Sequence, residues 1–216
     1  MATEKLFWKD AYLAECAATV TRVDGNKAYL DQTVAFAFSG GQQSDTAFIN
    51  GVQLAELIEE KEANEIVHVF PAEPALKEGD AVTVTIDWPK RFKIMRLHSA
   101  AHIAAMLLFQ KIGDKKLIGS NITEEKARVD FEHPESISPV LAALEPELNA
   151  FIAEAHEIRT YEDAEKPGRR LWECGEWTMP CGGTHVRDTK EIGVLALKRK
   201  NIGSGKERME IALATP

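Results

Sequence analysis

The spacing of apolar positions changes character once along the chain. Up to about residue 88, apolar and polar residues alternate in short runs. Residues 17–23 are rich in β-branched side chains, the Asp-Gly-Asn of 24–26 is a turn signal, and 27–31 resume the alternation, which predicts a hairpin. Residues 34–38 alternate next, 66–70 form a short apolar strand closed by Pro71, and 76–80 read as a turn. The Ala-Val-Thr-Val-Thr-Ile-Asp run of 81–87 is the clearest strand of all. Many short strands joined by turns predict a small β-barrel over residues 1–88.

Beyond that point the period lengthens. Phe92, Met95, Leu97, Ile103, Met106, Leu107 and Phe109 recur at helical spacing, and Gly113 follows, so a helix is expected over 90–110. A second helix is expected over 138–156, with Ser138 as its cap and Pro139 in its first turn. Pro146 falls inside it and should kink or split it. Strands are expected at 127–131, 194–198 and 208–213. Residues 89–216 therefore read as an α+β domain behind the barrel.

Charge and cysteine usage narrow the function. With 26 Lys and Arg against 34 Asp and Glu, the net charge is -8, which excludes a protein that coats nucleic acid indiscriminately. A local basic face is still compatible with that sum. No secretory signal or membrane-spanning run is visible, and the three cysteines, Cys16, Cys174 and Cys181, fit a reducing cytoplasm. A cysteine that matters here should be a ligand or a nucleophile.

Two compact pairs carry the chemistry. His98 and His102 lie four apart inside the first helix, on one face, with small Ser99, Ala100 and Ala101 between them. Far downstream comes Cys181-Gly-Gly-Thr-His185, whose glycines permit a turn tight enough for sulfur and imidazole to converge. Either pair alone is ordinary. Together they supply three nitrogens and one sulfur, which suits one zinc ion. Cys174 is the rival ligand. His68, His133 and His156 read as a strand, a turn and a helix-end residue, and Cys16 as buried in the barrel. One cysteine among three histidines leans towards catalysis, in which zinc lowers the pKa of a water and polarises a carbonyl; a purely structural zinc is the competing reading. His98 is not followed by the glutamate of H-E-x-x-H, so a zinc peptidase is disfavoured.

These pairs, in this order, resemble the editing domain of alanyl-tRNA synthetase and its free-standing relatives, the AlaX trans-editing proteins. The Ser39-Gly-Gly-Gln-Gln-Ser-Asp-Thr46 stretch resembles the family's glycine-rich motif, with Ser39 in place of its first glycine and Gln43 where proline is usual. Ile118-Gly-Ser-Asn with Arg128-Val-Asp-Phe131 resembles its strand pair, and Asn201 to Arg208 its basic glycine-rich loop. The Glu173-to-Pro180 segment departs from the pattern. The resemblance implies a barrel followed by an editing domain like that of threonyl- and alanyl-tRNA synthetases. It also implies zinc-dependent hydrolysis of the ester on mischarged tRNA(Ala), with serine the expected amino acid and glycine second.

The same resemblance assigns His98, His102, Cys181 and His185 to zinc. It places Gly40, Gly41, Gln42 and Asp45 of the glycine-rich loop at the substrate, Gln42 facing the aminoacyl group. Thr184, Ser120 or Thr123 is the candidate to bond a seryl hydroxyl. No general base is assigned. Lys198, Arg199, Lys200, Lys206 and Arg208 form the most basic run and are expected on the tRNA backbone, as are Lys90, Arg91, Lys93 and Arg96 beside the zinc helix. ATP is not expected: Gly203 to Lys206 fails the phosphate-loop pattern, because Lys200 stands five before Gly205 and Glu207 replaces Ser or Thr. Two other functions compete: a zinc hydrolase of another small ester, and a non-catalytic tRNA-binding module with structural zinc.

Overall fold

The computed structural model describes residues 2–203 and 205–214; Ser204 of the basic glycine-rich loop lies outside them. The chain divides into two compact units, one of residues 1–39 and 43–91, the other of 40–42 and 92–216. Gly40 to Gln42 thus pack within the second unit although the first surrounds them in sequence.

The first unit is a seven-stranded sheet in the order Val52–Gln53, Ala47–Ile49, Ala81–Ile86, Glu15–Asp24, Lys27–Leu30, Glu65–Val69, Glu56–Glu60. Its two terminal strands are separated by only Leu54 and Ala55 in the chain, so the sheet curls into a half-barrel. Val20, Leu30, Ile49, Ile66 and Val84 fill its interior, and Cys16 packs half-buried against them. Residues 34–38 are no strand. Val34 to Ala37 are all buried, so the alternation has no solvent side to mark. Their backbone bonds go partly to side chains: the Phe36 N–H donates to Asp45 Oδ2 (2.7 Å) and the Ala35 N–H to Thr33 Oγ1 (3.1 Å).

Arg91 completes that arrangement. Its guanidinium is fully buried and grips Asp45, with Nε 2.9 Å from Oδ1 and Nη2 on Oδ2, and donates to the carbonyls of Val34 (2.8 Å) and Ala11 (3.0 Å). The fork geometry of arginine lets one cation satisfy three chain segments at once.

Helix α1 spans Trp88–Ile112. Asp87 starts it, accepting the Lys90 N–H at 3.0 Å where Pro89 offers none. Ile94, Met95, Leu97, Ala100, Ile103, Ala104 and Leu108 are all buried, so the middle of the helix is enclosed nearly all round. Its Phe109 meets Phe131 edge-on at 5.4 Å, on one face of the four-stranded sheet Leu117–Ile122, Ala127–Glu132, Lys206–Leu213, Leu195–Asn201. Helix α2, Ser138–Ala153, runs unbroken through Pro146; its cap is Ile137, and Ser138 lies inside. Asn149 exchanges two hydrogen bonds with Leu195 (2.8 and 2.9 Å) and Glu145 accepts the Leu197 N–H (2.7 Å), so α2 closes that edge of the sheet. A three-stranded sheet, Ile158–Glu162, Arg170–Cys174, Trp177–Pro180, completes the unit.

Replacing Asp45 by alanine leaves a buried guanidinium without its carboxylate. Asp45→Ala is expected to cost about 3–5 kcal/mol in urea unfolding of the full chain. A loss below about 1 kcal/mol, the range of an exposed pair, would contradict this role.

Candidate metal centre

His98, His102, Cys181 and His185 converge within the second unit, and one donor atom from each lies within 4.8 Å of every other. Cys181 Sγ stands 3.2 Å from His185 Nε2, 3.3 Å from His102 Nε2 and 3.6 Å from His98 Nε2. Zinc bonds of about 2.05 Å to nitrogen and about 2.3 Å to sulfur put tetrahedral S and N ligands roughly 3.5 Å apart. The spacing therefore fits one small ion at the centre, and the donor set has the softness that zinc prefers.

The helix supplies the first pair one turn apart, with imidazole centroids 4.9 Å apart and stacked. The second pair follows the strand Trp177–Pro180. The Cys181 N–H donates to the Arg170 carbonyl (2.9 Å), which pins the start of the loop. Gly183 is required next: a Cβ there would lie 2.3 Å from His98 Cε1 and 2.6 Å from Gln42 Oε1.

Two of the imidazoles are aimed by hydrogen bonds behind them. Gln42 Oε1 accepts from His98 Nδ1 (2.7 Å) and from the Thr184 N–H (2.9 Å), while its amide nitrogen donates to Thr184 Oγ1 (2.9 Å). Ser99 Oγ accepts the Val186 N–H (3.3 Å) and stands 3.2 Å from His185 Nδ1. The Gln42 oxygen can only accept, so His98 Nδ1 carries the proton and its Nε2 lone pair is left facing the other donors; the Ser99 hydroxyl is placed to support the same tautomer at His185. The indole of Trp172, fully buried, lies against His102 at 4.9 Å and near His185 at 6.1 Å.

Burial sets the protonation of the cluster. It drives His98 and His185 well below the ordinary histidine range, with the neighbouring imidazoles adding to the effect, and brings His102 to about 4. Burial also pushes the Cys181 thiol up to about 11. Without an ion the four groups are thus neutral at pH 7, and none of them is a carboxylate. A divalent cation makes the thiolate favourable, so binding releases a proton.

The other expected residues fall in different places. Gln42 is fully buried behind His98, so it orients that ring, where the expectation is that it faces an aminoacyl group. Gly41 (φ 85°) is needed for close approach: a Cβ would lie 2.7 Å from the Ser120 carbonyl oxygen, and the Gly41 carbonyl accepts the Ile122 N–H at 2.8 Å. Gly40 and Ser120 are exposed. Thr123 holds its own turn through Lys126. Asp45 and Arg91 are committed to each other in the first unit. Arg199 is clamped by Glu207 (2.6 Å, twice) and Arg208 by Asp130 (2.6 and 2.8 Å), whereas Lys198, Lys200 and Lys206 are exposed. Cys174 is buried and is not one of the four converging donors. Ser99 and Trp172 were not read as site residues from the sequence.

Comparison with known proteins matches residues 170–210 to the threonyl and alanyl tRNA synthetase second additional domain. The chain is 36% identical over 215 residues to the alanyl-tRNA editing protein AlaX-M of Pyrococcus horikoshii, covering 98% of each. It is 32% identical over 233 residues to the protein of the same name from Saccharolobus solfataricus, covering 96% of this chain and 97% of that one. A stretch of the alanine–tRNA ligase of Metallosphaera sedula matches at 30% identity over 214 residues, 88% of this chain but 24% of that enzyme.

Gln42 gives a test of the cluster that needs no substrate. Gln42→Ala should weaken zinc binding about 10–100-fold in competition with a chromophoric chelator, since it removes the acceptor behind His98. Unchanged affinity would mean that the His98 ring is held by packing alone.

Proposed function

The chain belongs to the AlaX-M family of alanyl-tRNA editing proteins, and from that premise we propose that it is a zinc-dependent deacylase of mischarged tRNA(Ala), acting in trans in the cytoplasm. Serine is the preferred amino acid and glycine the second. The observation that carries this reading is the convergence of His98, His102, Cys181 and His185, three nitrogens and one sulfur, on a point.

In the reaction, water attacks the ester carbonyl carbon, the bond to the ribose oxygen breaks, and free amino acid leaves an uncharged tRNA end. A bound zinc ion supplies Lewis-acid polarisation of the carbonyl and acidifies water. The residues around it do the rest. Gln42 and Ser99 fix the imidazoles before substrate arrives, so no reorganisation is needed at the moment of reaction. Thr184, buried beside His185, receives a hydrogen bond from Gln42 and keeps its own hydroxyl proton to donate. It is the residue we assign to the seryl hydroxyl. A site that bonds a hydroxyl discriminates against an analogue lacking one, which spares correctly charged alanine.

The tRNA backbone is assigned to the sheet face opposite α1. Strand alternation puts Lys198 and Lys200 on that face, in register with Glu210 and Arg208, and turns Arg199 inward. Lys206 extends the same basic surface. Four protein donors around one point also suit a closed structural ion in a non-catalytic tRNA-binding module, and activity separates the two.

Purified protein should strip serine from Ser-tRNA(Ala) and leave Ala-tRNA(Ala) intact, with the activity lost on chelation and restored by zinc. Cleavage of neither, with zinc bound, would overturn the deacylase reading in favour of the closed structural ion. Replacing Lys198 and Lys200 by alanine should weaken tRNA binding and lower the log–log salt slope by about 2. An unaltered slope would place the phosphates elsewhere.

A further inference from the structure

The four donors are held unequally. His98 is tied through Gln42 and His185 through Ser99, and both tethers bind the backbone of the 181–186 loop as well. Cys181 is tied through its own backbone to Arg170. His102 lacks any such tether: among the described residues its hydrogen-bond contact is the Cys181 sulfur itself, through Nε2. Its ring is otherwise bounded by other rings, with His98 and Trp172 at 4.9 Å and His185 at 5.1 Å. His102 is also the one imidazole of the three that is half-buried, where His98 and His185 are buried. Trp172 adds contact without a tether, because its buried indole N–H has no partner among the described residues.

We infer that His102 is the exchangeable ligand, the one the centre releases while His98, Cys181 and His185 keep the ion. The inference rests on the metal-centre reading above. An orienting hydrogen bond behind a ligating histidine is worth about 10–100-fold in affinity, and His102 forgoes that term. Its departure breaks ring contacts alone. What remains is three protein ligands and one open position, the arrangement of catalytic zinc sites.

The test replaces each ligand by alanine in the full chain and measures Zn2+ affinity by chelator competition, with circular dichroism checking the fold. His102→Ala should weaken binding least, by about 10–100-fold, and still hold one ion per chain. The other three variants should each bind at least about tenfold more weakly than His102→Ala. A loss at His102 equal to the others overturns the inference. Where a variant does not fold, the zinc-loaded wild-type protein decides. Ring-nitrogen relaxation dispersion should show microsecond-to-millisecond exchange at His102 and not at His98 or His185; three equally quiet rings overturn the inference. Neither measurement uses tRNA. A protein that binds zinc but cleaves no ester would sink the deacylase reading and leave the ligand order standing, and one that binds no zinc would sink both.

Discussion

The carboxamide of Gln42 is the constraint on which the second unit's site depends. One buried oxygen accepts from His98 and from the Thr184 backbone, and the nitrogen of the same group holds the Thr184 hydroxyl. Three stretches of chain, 142 residues apart at the extremes, are thereby held at one point. An amide suits this position better than a carboxylate, because it offers donor and acceptor together and carries no charge that would demand a partner. The glycines follow from the same crowding. Gly41 lets the segment lie against Ser120, and Gly183 leaves the space that the His98 ring and the Gln42 oxygen occupy.

How much of this was legible depends on the range over which each feature is determined. The His98–His102 pairing follows from helical period alone, and Cys181 to His185 from a two-glycine turn, so both pairs could be read locally. The clear strands at 15–24 and 81–86 and both helices were visible in the same way. The role of Gln42 was not visible, because its partners lie 56 and 142 residues away. Ser99 read as a small spacer, although its hydroxyl backs His185. Residues 34–38 alternate as a strand does, yet Val34 to Ala37 are all buried and side-chain partners replace the ladder. The three strands between 158 and 180 are not legible in the sequence because each is only five or four residues long, and the first, Ile158–Glu162, is exposed beyond Ile158.

The basic run near the C-terminus shows what strand parity adds to a charge count. Lys198, Arg199 and Lys200 are neighbours in sequence, but a pleated strand sends the middle one the other way. Arg199 then meets Glu207, buried beneath it, and serves the fold. Its two neighbours stay in water beside Glu210, where an acidic chain offers positive charge to solvent. Asp45 with Arg91 illustrates the same point in the first unit: two residues that look like surface chemistry are the polar interior of a half-barrel.

Finally, the four-stranded sheet has its Leu195–Asn201 edge closed by Asn149 and Glu145 of α2, whereas on the other edge Gly41 and Gln42 meet the Ile122 end of Leu117–Ile122, whose first four residues are exposed. A free edge is a template for another copy of the chain. The cover on the Leu195–Asn201 side rests on a helix with a proline directly after Glu145, where one backbone hydrogen bond is missing. Loosening of α2 would therefore bare the Leu195–Asn201 edge as an unpaired ladder, so the helix guards backbone groups as well as apolar surface.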